Sequence, residues 1–460
     1  MDQDRLLIPY FFTCIFGAGV RTLYQIKLTM SFPKRQRLGE SPKGEHWYVG
    51  LATVPSSPKD VVAVVEDESS QPENVFDYEE IRVLQSERAE QRMTMRLESL
   101  PFGQRSLATI LSHREKAYNG RAYALPRILN VVKRKKPIKS GKKVAIGNVS
   151  AAVQHELGRG GYGCVVILKS GGGNAKQIAV KAQKRAAGSL AAEFEILAAL
   201  RTRSSRKIAP FAFSFVRLSD GDMLAMEPAS SSGLTLHDLV NNYRLLGRRA
   251  APELVALHYV SRMVASVDYL HRFGNILHCD LKEDNFALVP SSILGGETIE
   301  ASDITLIDFG RAIDLQKIPV KEEVSPFKTR LSGCASRLEM QCLAMKANRS
   351  WSIDIDYYGV ACTAYFLLFA DDMQLVKDAT TGRWRPRNSL SRLLHAELWR
   401  NFFDFLVNTD TSFSDNLESI MLSLTRLLEK IECALQPKNQ ELKFMLRHQA
   451  NTLPPKRVSV

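Results

Sequence analysis

The feature that most constrains this chain is a polar octet, HCDLKEDN at residues 278–285, which stands between short apolar runs. The runs at residues 275–277, 286–289 and 304–307 are too short for stable helices and fit strands better. Upstream, apolar residues recur every three or four positions and predict one helix, with a stripe formed by Leu254, Leu257, Val260, Val264, Val267 and His271. The pattern therefore predicts a polar loop held between a helix and short strands.

The octet carries a carboxylate, an amine and an amide at fixed spacing. Asp280, Lys282 and Asn285 match H-x-D-L-x-x-x-N, the catalytic loop of protein kinases. That resemblance implies that Asp280 accepts a proton from a substrate hydroxyl, that Lys282 offsets charge on the transferred phosphoryl group, and that Asn285 holds a magnesium ion. A lysine two residues after the aspartate resembles serine/threonine kinases. Asp308 begins a D-F-G triplet after the run ITLI, and its carboxylate would bridge the metal to the β and γ phosphates of ATP.

A glycine-rich segment, ELGRGGYGCVV, precedes these motifs. Gly158, Gly160 and Gly163 follow the spacing G-x-G-x-x-G-x-V, which ends at Val165. Glycines let backbone amides approach phosphate oxygens closely. A dinucleotide-binding turn shares the spacing, but it requires a helix at the third glycine, whereas CVVILK continues as a strand. We expect a glycine-rich hairpin over a nucleotide, and a plain glycine-rich hairpin is the alternative.

The next strand-like run ends in a lysine. The run IAV followed by Lys181 resembles the V-A-I-K motif of protein kinases, whose ammonium group neutralises the α and β phosphates of ATP. Such a group needs a counter-charge, and Glu193 in the helix-like stretch LAAEFEILAAL is the candidate for that ion pair. Glu195 is the competitor, although the helical period places it on a different face.

The segment MLAMEPA at residues 223–229 is predicted to link a β-rich part of the chain to an α-rich part. In the kinase resemblance, Met226 lies at the back of the nucleotide pocket, and backbone groups of Glu227 and Ala229 meet the adenine edge. A simple interdomain strand is the alternative. Asp356, in DIDYYGVA, resembles the aspartate of the central helix that braces the catalytic loop.

The composition predicts a globular chain. Its 460 residues are 45% hydrophobic and 24% charged, which disfavours a fibrous repeat, wholesale disorder or a polytopic membrane protein. The net charge of +13 suits acidic partners, or reflects a basic tail on an ordinary enzyme. Seven cysteines without a C-x-x-C pair favour a reducing compartment over a disulfide framework or a zinc site. The uncharged segment Leu6 to Val20 is too short to span a bilayer and lacks the basic start of a secretory signal. We expect a small buried element there, or a true start at Met30, and no membrane contact.

The predicted fold class is α+β, the two-lobed protein kinase fold. We expect residues 1–100 to be largely disordered, because the chain is polar and lacks sustained periodicity from residue 31 onward. Residues 101–154 form an extension before the kinase core and contain the basic run VVKRKKPIKSGKK, which could be a nuclear import signal, a phosphate-contacting patch or a solvated linker. Residues 155–229 form a β-rich small lobe, and residues 230–455 form an α-helical large lobe.

Less generic blocks resemble the Bub family over about residues 100–456. They are LPFGQRSLATILSHREKAYNGRAYALPRI, VKAQKRAAGSLAAEFEI, HCDLKEDNFAL, LIDFGRAIDL, QCLAM, and WSIDIDYYGVACTAYFLLF with LLHAELWRNFFDFLVN. The resemblance implies a serine/threonine kinase of the mitotic spindle assembly checkpoint. Such a kinase acts in the nucleus at kinetochores, uses ATP and magnesium, and phosphorylates a protein substrate such as a histone tail at centromeric chromatin. The rivals are a checkpoint pseudokinase scaffold and a serine/threonine kinase of another pathway.

The block ENVFDYEEIRVLQ, within residues 72–90, looks like the motif by which the Bub family docks on its WD-repeat propeller partner. The resemblance implies that Glu79 and Glu80 pair with basic groups on the propeller while Phe76 and Ile81 anchor the segment. An acidic disordered stretch is the alternative.

Two positions depart from the kinase pattern. Cys279 precedes the catalytic aspartate at the position where many kinases have arginine. This position therefore offers no cation to pair with a phosphate on the activation loop. We therefore expect activity that does not depend on activation-loop phosphorylation. Ala344, in QCLAM, stands where an acidic residue is expected near the end of the activation segment, although Glu339 lies close by, and this leaves the anchor of the segment undefined.

Overall fold

The computed structural model describes residues 10–12, 24–26, 75–98, 116–119, 141, 143–146, 149–159, 163–170, 177–184, 190–204, 206–217, 221–230, 233–289, 303–318, 330–333, 340–411 and 417–453. The chain divides into two compact units, Met1–Asp67 and Glu68–Val460. In the first, β1 (Tyr10–Phe12) pairs antiparallel with β2 (Tyr24–Ile26). Most of the basic run at residues 132–143 lies outside the described residues.

Residues 75–98 form β3 (Val75–Asp77) and, directly after it, α1 (Tyr78–Glu98). The expectation of disorder is wrong for this stretch. A narrow face of α1, formed by Tyr78, Ile81, Gln85 and Ala89, is buried. The spacing of three or four residues is that of one helix face. The sequence did not predict this buried face, because charged and polar residues separate the four positions and one of the four is itself polar.

A seven-stranded sheet forms the small lobe. Its edge strands are β4 (Lys116–Asn119) and β5 (Lys143–Ile146), and its five inner strands are β6 (Val149–Arg159), β7 (Gly163–Ser170), β8 (Gln177–Lys184), β9 (Ala212–Arg217) and β10 (Gly221–Met226). The order is β4-β9-β10-β8-β7-β6-β5, antiparallel except for the β4–β9 pair. The extension expected at residues 101–154 therefore supplies both edges of the sheet, and the boundary expected at residue 155 falls inside β6.

The helix α2 (Leu190–Arg203) packs on this sheet. The register of the sheet places Lys181 at its centre, opposite Val165 on one side and Leu224 on the other. The hairpin of β6 and β7 carries the glycine-rich segment, as predicted, because Gly158 pairs with Val165 across it. Gly160 lies outside the described residues.

Helices dominate the large lobe. They are α3 (Leu236–Leu245), α4 (Glu253–Tyr269), α5 (Leu343–Lys346), α6 (Asp354–Phe369), α7 (Ala396–Asn408), α8 (Leu417–Leu435) and α9 (Asn439–Thr452). The predicted stripe is confirmed: its first five residues lie in α4, its sixth lies in the π-helical turn Leu270–Gly274, and all six are buried. The central helix α6 is buried on nearly every side, as expected for a helix that is apolar all round.

Short strands complete the large lobe and hold the polar octet. They are β11 (Ile276–Leu277), β12 (Phe286–Leu288), β13 (Ile304–Leu306), β14 (Ile313–Asp314), β15 (Arg330–Ser332), β16 (Leu375–Lys377) and β17 (Trp384–Pro386). The pairs β11–β14, β12–β13 and β16–β17 are antiparallel, whereas β15 pairs in parallel with β3. The three predicted strands are thus confirmed. In the part of the chain described, no helix combines the length and apolar character needed to cross a membrane.

Candidate active site

The centre of the site is the ammonium group of Lys181 on β8. Its Nζ lies 2.6 Å from Oε2 of Glu193 on α2 and 2.7 Å from Oδ1 of Asp308. Glu193, not Glu195, is the partner, as the helical period indicated. Three residues predicted from separate segments therefore converge on one point between the sheet, α2 and the strand β13.

Electrostatics keep Lys181 and Asp308 ionised, whereas burial raises the pKa of Glu193. Burial would lower the pKa of Lys181, but Asp308 and Glu193 outweigh burial and raise it. The ammonium group of Lys181 holds the pKa of Asp308, whose side chain is about half exposed, below its usual range. A protonated lysine beside an ionised aspartate is the arrangement required to bind phosphate oxygens and a divalent cation together.

The catalytic loop presents Asp280 with two polar neighbours. Nζ of Lys282 lies 2.8 Å from Oδ2 of Asp280. Nδ2 of Asn285 donates to the backbone oxygen of Asp280 at 2.7 Å and to its Oδ2 at 3.2 Å. Because the amide nitrogen of Asn285 is engaged in this way, its Oδ1 is the atom that could meet a metal ion.

A buried aspartate braces this loop from α6. Asp356 accepts hydrogen bonds from the backbone N–H groups of His278 at 2.8 Å and Cys279 at 2.9 Å, and His271 lies 2.9 Å from the same carboxylate. The φ of Cys279 is +60°, in the left-handed region that non-glycine residues seldom adopt. The two backbone hydrogen bonds stabilise this turn, which is the structural role expected of Asp356.

His278 connects the catalytic loop to the D-F-G triplet. Burial lowers its pKa, so the ring is neutral, and Nε2 donates to the backbone oxygen of Ile307 at 3.1 Å. Its ring centroid lies 4.8 Å from that of Phe309, which is buried. Packing and this hydrogen bond therefore fix Asp308 relative to Asp280.

A cavity of ≈ 400 Å³ opens between the lobes at this cluster. Its lining includes the predicted residues Gly158, Val165, Lys181, Glu193, Met226, Ala229, Lys282, Asn285 and Asp308. Asp280 does not line the cavity, although it is bonded to two residues that do. Sequence reasoning missed the apolar walls formed by Leu157, Ala179 and Ile307, because apolar residues in strands carry no signal that distinguishes a cavity wall from a core.

The two glycines described in the hairpin have different surroundings. A Cβ on Gly163 would lie 2.3 Å from the backbone oxygen of Ala182, so the close approach of β8 requires glycine there. A Cβ on Gly158 would meet no atom within 4 Å. Gly158 lines the cavity, so its bare backbone leaves open space for a ligand.

The three residues predicted in the hinge differ in their surroundings. Met226 is 8% exposed and lines the cavity with Ala229. The side chain of Glu227 turns away and pairs with Lys207 at 2.9 Å, and its backbone N–H donates to Phe211 O at 2.8 Å. Only the backbone oxygen of Glu227 therefore remains to accept a hydrogen bond from an adenine, while Ala229 retains a backbone N–H beyond the proline at 228.

These residues fit ATP and magnesium. The cavity volume is in the range of small-ligand sites, and its lining combines apolar side chains with the charged groups of Lys181, Glu193 and Asp308. Within the described residues no group of three His, Cys, Asp or Glu side chains is arranged to hold a metal. Magnesium is commonly bound by one or two protein groups together with phosphate oxygens and water, which matches Asp308 and Asn285.

The activation segment is anchored without the acidic residue that Ala344 replaces. Arg330 is 4% exposed, and its Nε donates to Thr411 O at 2.7 Å. The buried carboxylate of Asp354 accepts from Thr411 Oγ1 at 2.6 Å and from the Cys342 thiol at 3.4 Å. Near the end of the segment Arg349 forms an ion pair with Asp410. These contacts supply the anchor that the sequence left undefined.

Helix α1 packs against α2 and is joined to it by an ion pair. Nε and Nη2 of Arg92 each lie 2.9 Å from a carboxylate oxygen of Glu195, and Lys317 Nζ lies 2.9 Å from the same carboxylate. The side chain of Gln85 exchanges two hydrogen bonds with the backbone of Asp314, beyond the D-F-G triplet. The sequence carries no sign of these contacts between α1 and the rest of the domain, because the residues that form them are more than 100 positions apart.

The comparisons agree with this geometry. Residues 151–433 match the protein kinase domain family. The mouse mitotic checkpoint serine/threonine-protein kinase BUB1 is 29% identical over 64% of this chain, and the Saccharomyces cerevisiae spindle assembly checkpoint kinase BUB1 is 28% identical over 56%. Arabidopsis thaliana BUB1 is 26% identical over 48% of this chain. The crystal structure of the BubR1 kinase domain superimposes with a TM-score of 0.63 and 21% identity, covering 83% of this chain and 100% of that one, and so supports the fold.

The matched region spans 27% of the mouse relative, 25% of the yeast relative and 42% of the plant relative. The family match covers more than half of this chain and includes both lobes. The chain therefore belongs to the protein kinase family, and the relatives to which it is similar within that family are Bub checkpoint kinases.

Proposed function

We propose that this protein is an active serine/threonine protein kinase that transfers the γ-phosphoryl group of ATP to a protein hydroxyl. The observation that carries the proposal is the convergence of Lys181 with Glu193 and Asp308 at 2.6 and 2.7 Å, on a cavity that Asn285 also lines. A scaffold that had lost catalysis would not need to retain these groups in contact, since each ionised residue costs desolvation energy.

Each residue has a defined task in the transfer. Lys181 neutralises the α and β phosphates, and Asp308 with Asn285 would hold magnesium, which offsets charge on the phosphates when bound. Asp280 accepts the proton of the substrate hydroxyl as the new oxygen–phosphorus bond forms and the bond to the β-phosphate oxygen breaks. Lys282, beside Asp280, lies where it can neutralise charge on the transferred group. Catalysis is thus by positioning and charge, without a covalent enzyme intermediate.

The test is phosphorylation of nucleosomes by the purified chain with magnesium and ATP. Asp280→Asn and Lys181→Met should each abolish transfer while the protein remains folded by circular dichroism. Activity that persists in both variants would remove the mechanism. Failure of the wild-type chain to bind magnesium-ATP in calorimetry would instead support a pseudokinase scaffold.

We further propose that the kinase acts in the nucleus at kinetochores during the mitotic checkpoint, on a substrate such as a histone tail. This rests on the similarity to curated checkpoint kinases over about half of the chain or more. A nucleosome that is not phosphorylated, while an unrelated serine peptide is, would favour a kinase of another pathway.

Contact with a WD-repeat propeller is proposed only through Glu79 and Glu80, which are exposed. Ile81 is 4% exposed inside the kinase core and cannot anchor a partner, and Phe76 packs against the same core. The expectation that Ile81 anchors the segment is therefore wrong, and the half-buried Phe76 has only part of its surface left for a partner. A pull-down comparing wild type with Glu79→Lys and Glu80→Lys tests the remaining contact, which fails if both variants retain the propeller.

A further inference from the structure

A groove rich in arginine lies on the large lobe, between the hairpin of β16 and β17 and helix α7. The hairpin of β16 and β17 and the start of α7 enclose a cavity of ≈ 540 Å³, lined by Arg383, Arg385, Arg387 and Arg400. All four residues are exposed. We call this cavity the arginine groove.

Only part of its positive charge is neutralised. Nε of Arg383 lies 2.5 Å from Asp404, whereas Arg385 reaches Asp378 only at 3.7 Å. Arg387 donates to the neutral side chain of Gln374 at 3.0 Å. Among the residues that the structure describes, Arg387 and Arg400 have no carboxylate within ion-pair distance. The groove therefore presents guanidinium groups that can still bind an anion.

The charge beyond the groove is mixed. Tyr365 of α6 is 2% exposed, and burial, followed by Asp371, raises the pKa of its hydroxyl, while Arg249 and Arg387 act in the opposite direction. Arg249 comes from the loop between α3 and α4. Arg248 and Arg249 are exposed.

The groove is also connected to the end of the activation segment. Trp384 of β17 lines the groove and, on its other side, a second cavity of ≈ 550 Å³. That second cavity includes Leu343 and Lys346 of α5, which lies near the end of the activation segment. A polypeptide that reaches the catalytic cleft along this segment could therefore extend over Trp384 into the groove.

We propose that the arginine groove binds an acidic segment of the protein substrate, at a distance from the serine or threonine that is phosphorylated. The inference rests on the proposed kinase function and names a substrate class for it. Arginine forks match carboxylates in paired geometry, and the half-buried ring of Trp384 can pack against a neighbouring apolar side chain of a peptide. A nucleic acid fits less well, because its backbone needs repeated cations along an extended surface, whereas Asp378 and Asp404 interrupt this one.

Direct binding is the first test. The probe is a fluorescein-labelled peptide of alternating glutamate and leucine, compared with the same peptide carrying glutamine for glutamate. The variant is Arg387→Glu/Arg400→Glu, and the matched control is Arg426→Glu, an exposed arginine of α8. We expect the variant to bind the glutamate peptide about tenfold more weakly and with less salt dependence, while the control binds as wild type does.

Kinetics are the second test. A serine peptide extended by the glutamate segment should show a KM about tenfold higher with the variant, at unchanged kcat, while the same peptide without the segment is unaffected. Equal binding and equal KM for wild type and variant would overturn the proposal. So would tighter, arginine-dependent binding of a DNA duplex than of the glutamate peptide. Arginine-dependent peptide binding without phosphorylation of any peptide would leave the groove assigned and refute the kinase function.

Discussion

Replacement of Tyr78 by alanine should detach α1 from the kinase domain. The side chain of Tyr78 has no exposed surface, its ring centroid lies 5.6 Å from that of Trp351, and its hydroxyl donates to Arg311 O at 3.0 Å. Truncation of a buried aromatic residue costs about 3 to 5 kcal/mol, which includes the cavity left behind. A loss of about 4 kcal/mol lowers the docking equilibrium nearly a thousandfold, since about 1.4 kcal/mol corresponds to a factor of ten.

Release of α1 should reduce kcat. Arg92 of α1 holds Glu195 of α2, and the same helix carries Glu193, the partner of Lys181. The assay is kcat at saturating ATP together with amide hydrogen exchange over residues 78–98. Tyr78→Phe, which removes only the hydroxyl, should lose about 1 kcal/mol of docking energy and correspondingly less activity. Glu87→Ala, an exposed position of α1, should behave as wild type.

Two results would refute this reasoning. If Tyr78→Ala speeds exchange throughout α1 but leaves kcat unchanged, α1 does not position α2. If exchange in α1 is as slow as in wild type, the buried contacts of Tyr78 do not hold the helix. A variant that unfolds globally is recognised by fast exchange in α6 as well, and Tyr78→Phe then decides the question.

Three further predictions concern the activation segment and the ionised cluster. Phosphatase treatment should leave activity intact, because buried Cys279 offers no cation to a phosphate, and a large loss of activity would contradict this. Because Arg349 and Asp410 form an ion pair, a double-mutant cycle of Arg349→Ala and Asp410→Ala should show a coupling energy of about 0.5 to 2 kcal/mol. The energies are measured by urea unfolding. If the losses of the two single variants simply add, the pair does not anchor the segment. Lys181→Met should destabilise the protein more at about pH 7 than at about pH 2. Lys181 holds the pKa of Asp308 low, so the stability this pair contributes is present above the ordinary pKa of aspartate and is lost as the pH falls; an equal loss at both pH values would show that charge is not the cause.

The chemistry of the site was predictable from short sequence patterns. Lys181, Asp280, Asn285 and Asp308 each sit at a fixed offset from a strand or loop, and local spacing encodes such offsets. The choice of Glu193 over Glu195 also followed from local geometry, since residues two positions apart lie on different faces of a helix. The Lys181 contact with Glu193 agrees with that choice.

The sequence did not reveal the contacts between distant segments of the chain. The charged helix α1 resembled a disordered stretch, because four buried positions in a polar background do not raise hydropathy enough to be noticed. Its burial depends on surfaces of α2, β4 and β14 that come together only when the kinase domain folds. The contacts that anchor the activation segment, made by Arg330, Asp354 and Arg349, have the same origin. Sequence therefore determined which polar groups stand at the candidate site, through short-range spacing. The tertiary structure decided what holds and surrounds them, because those partners are brought together only by long-range packing.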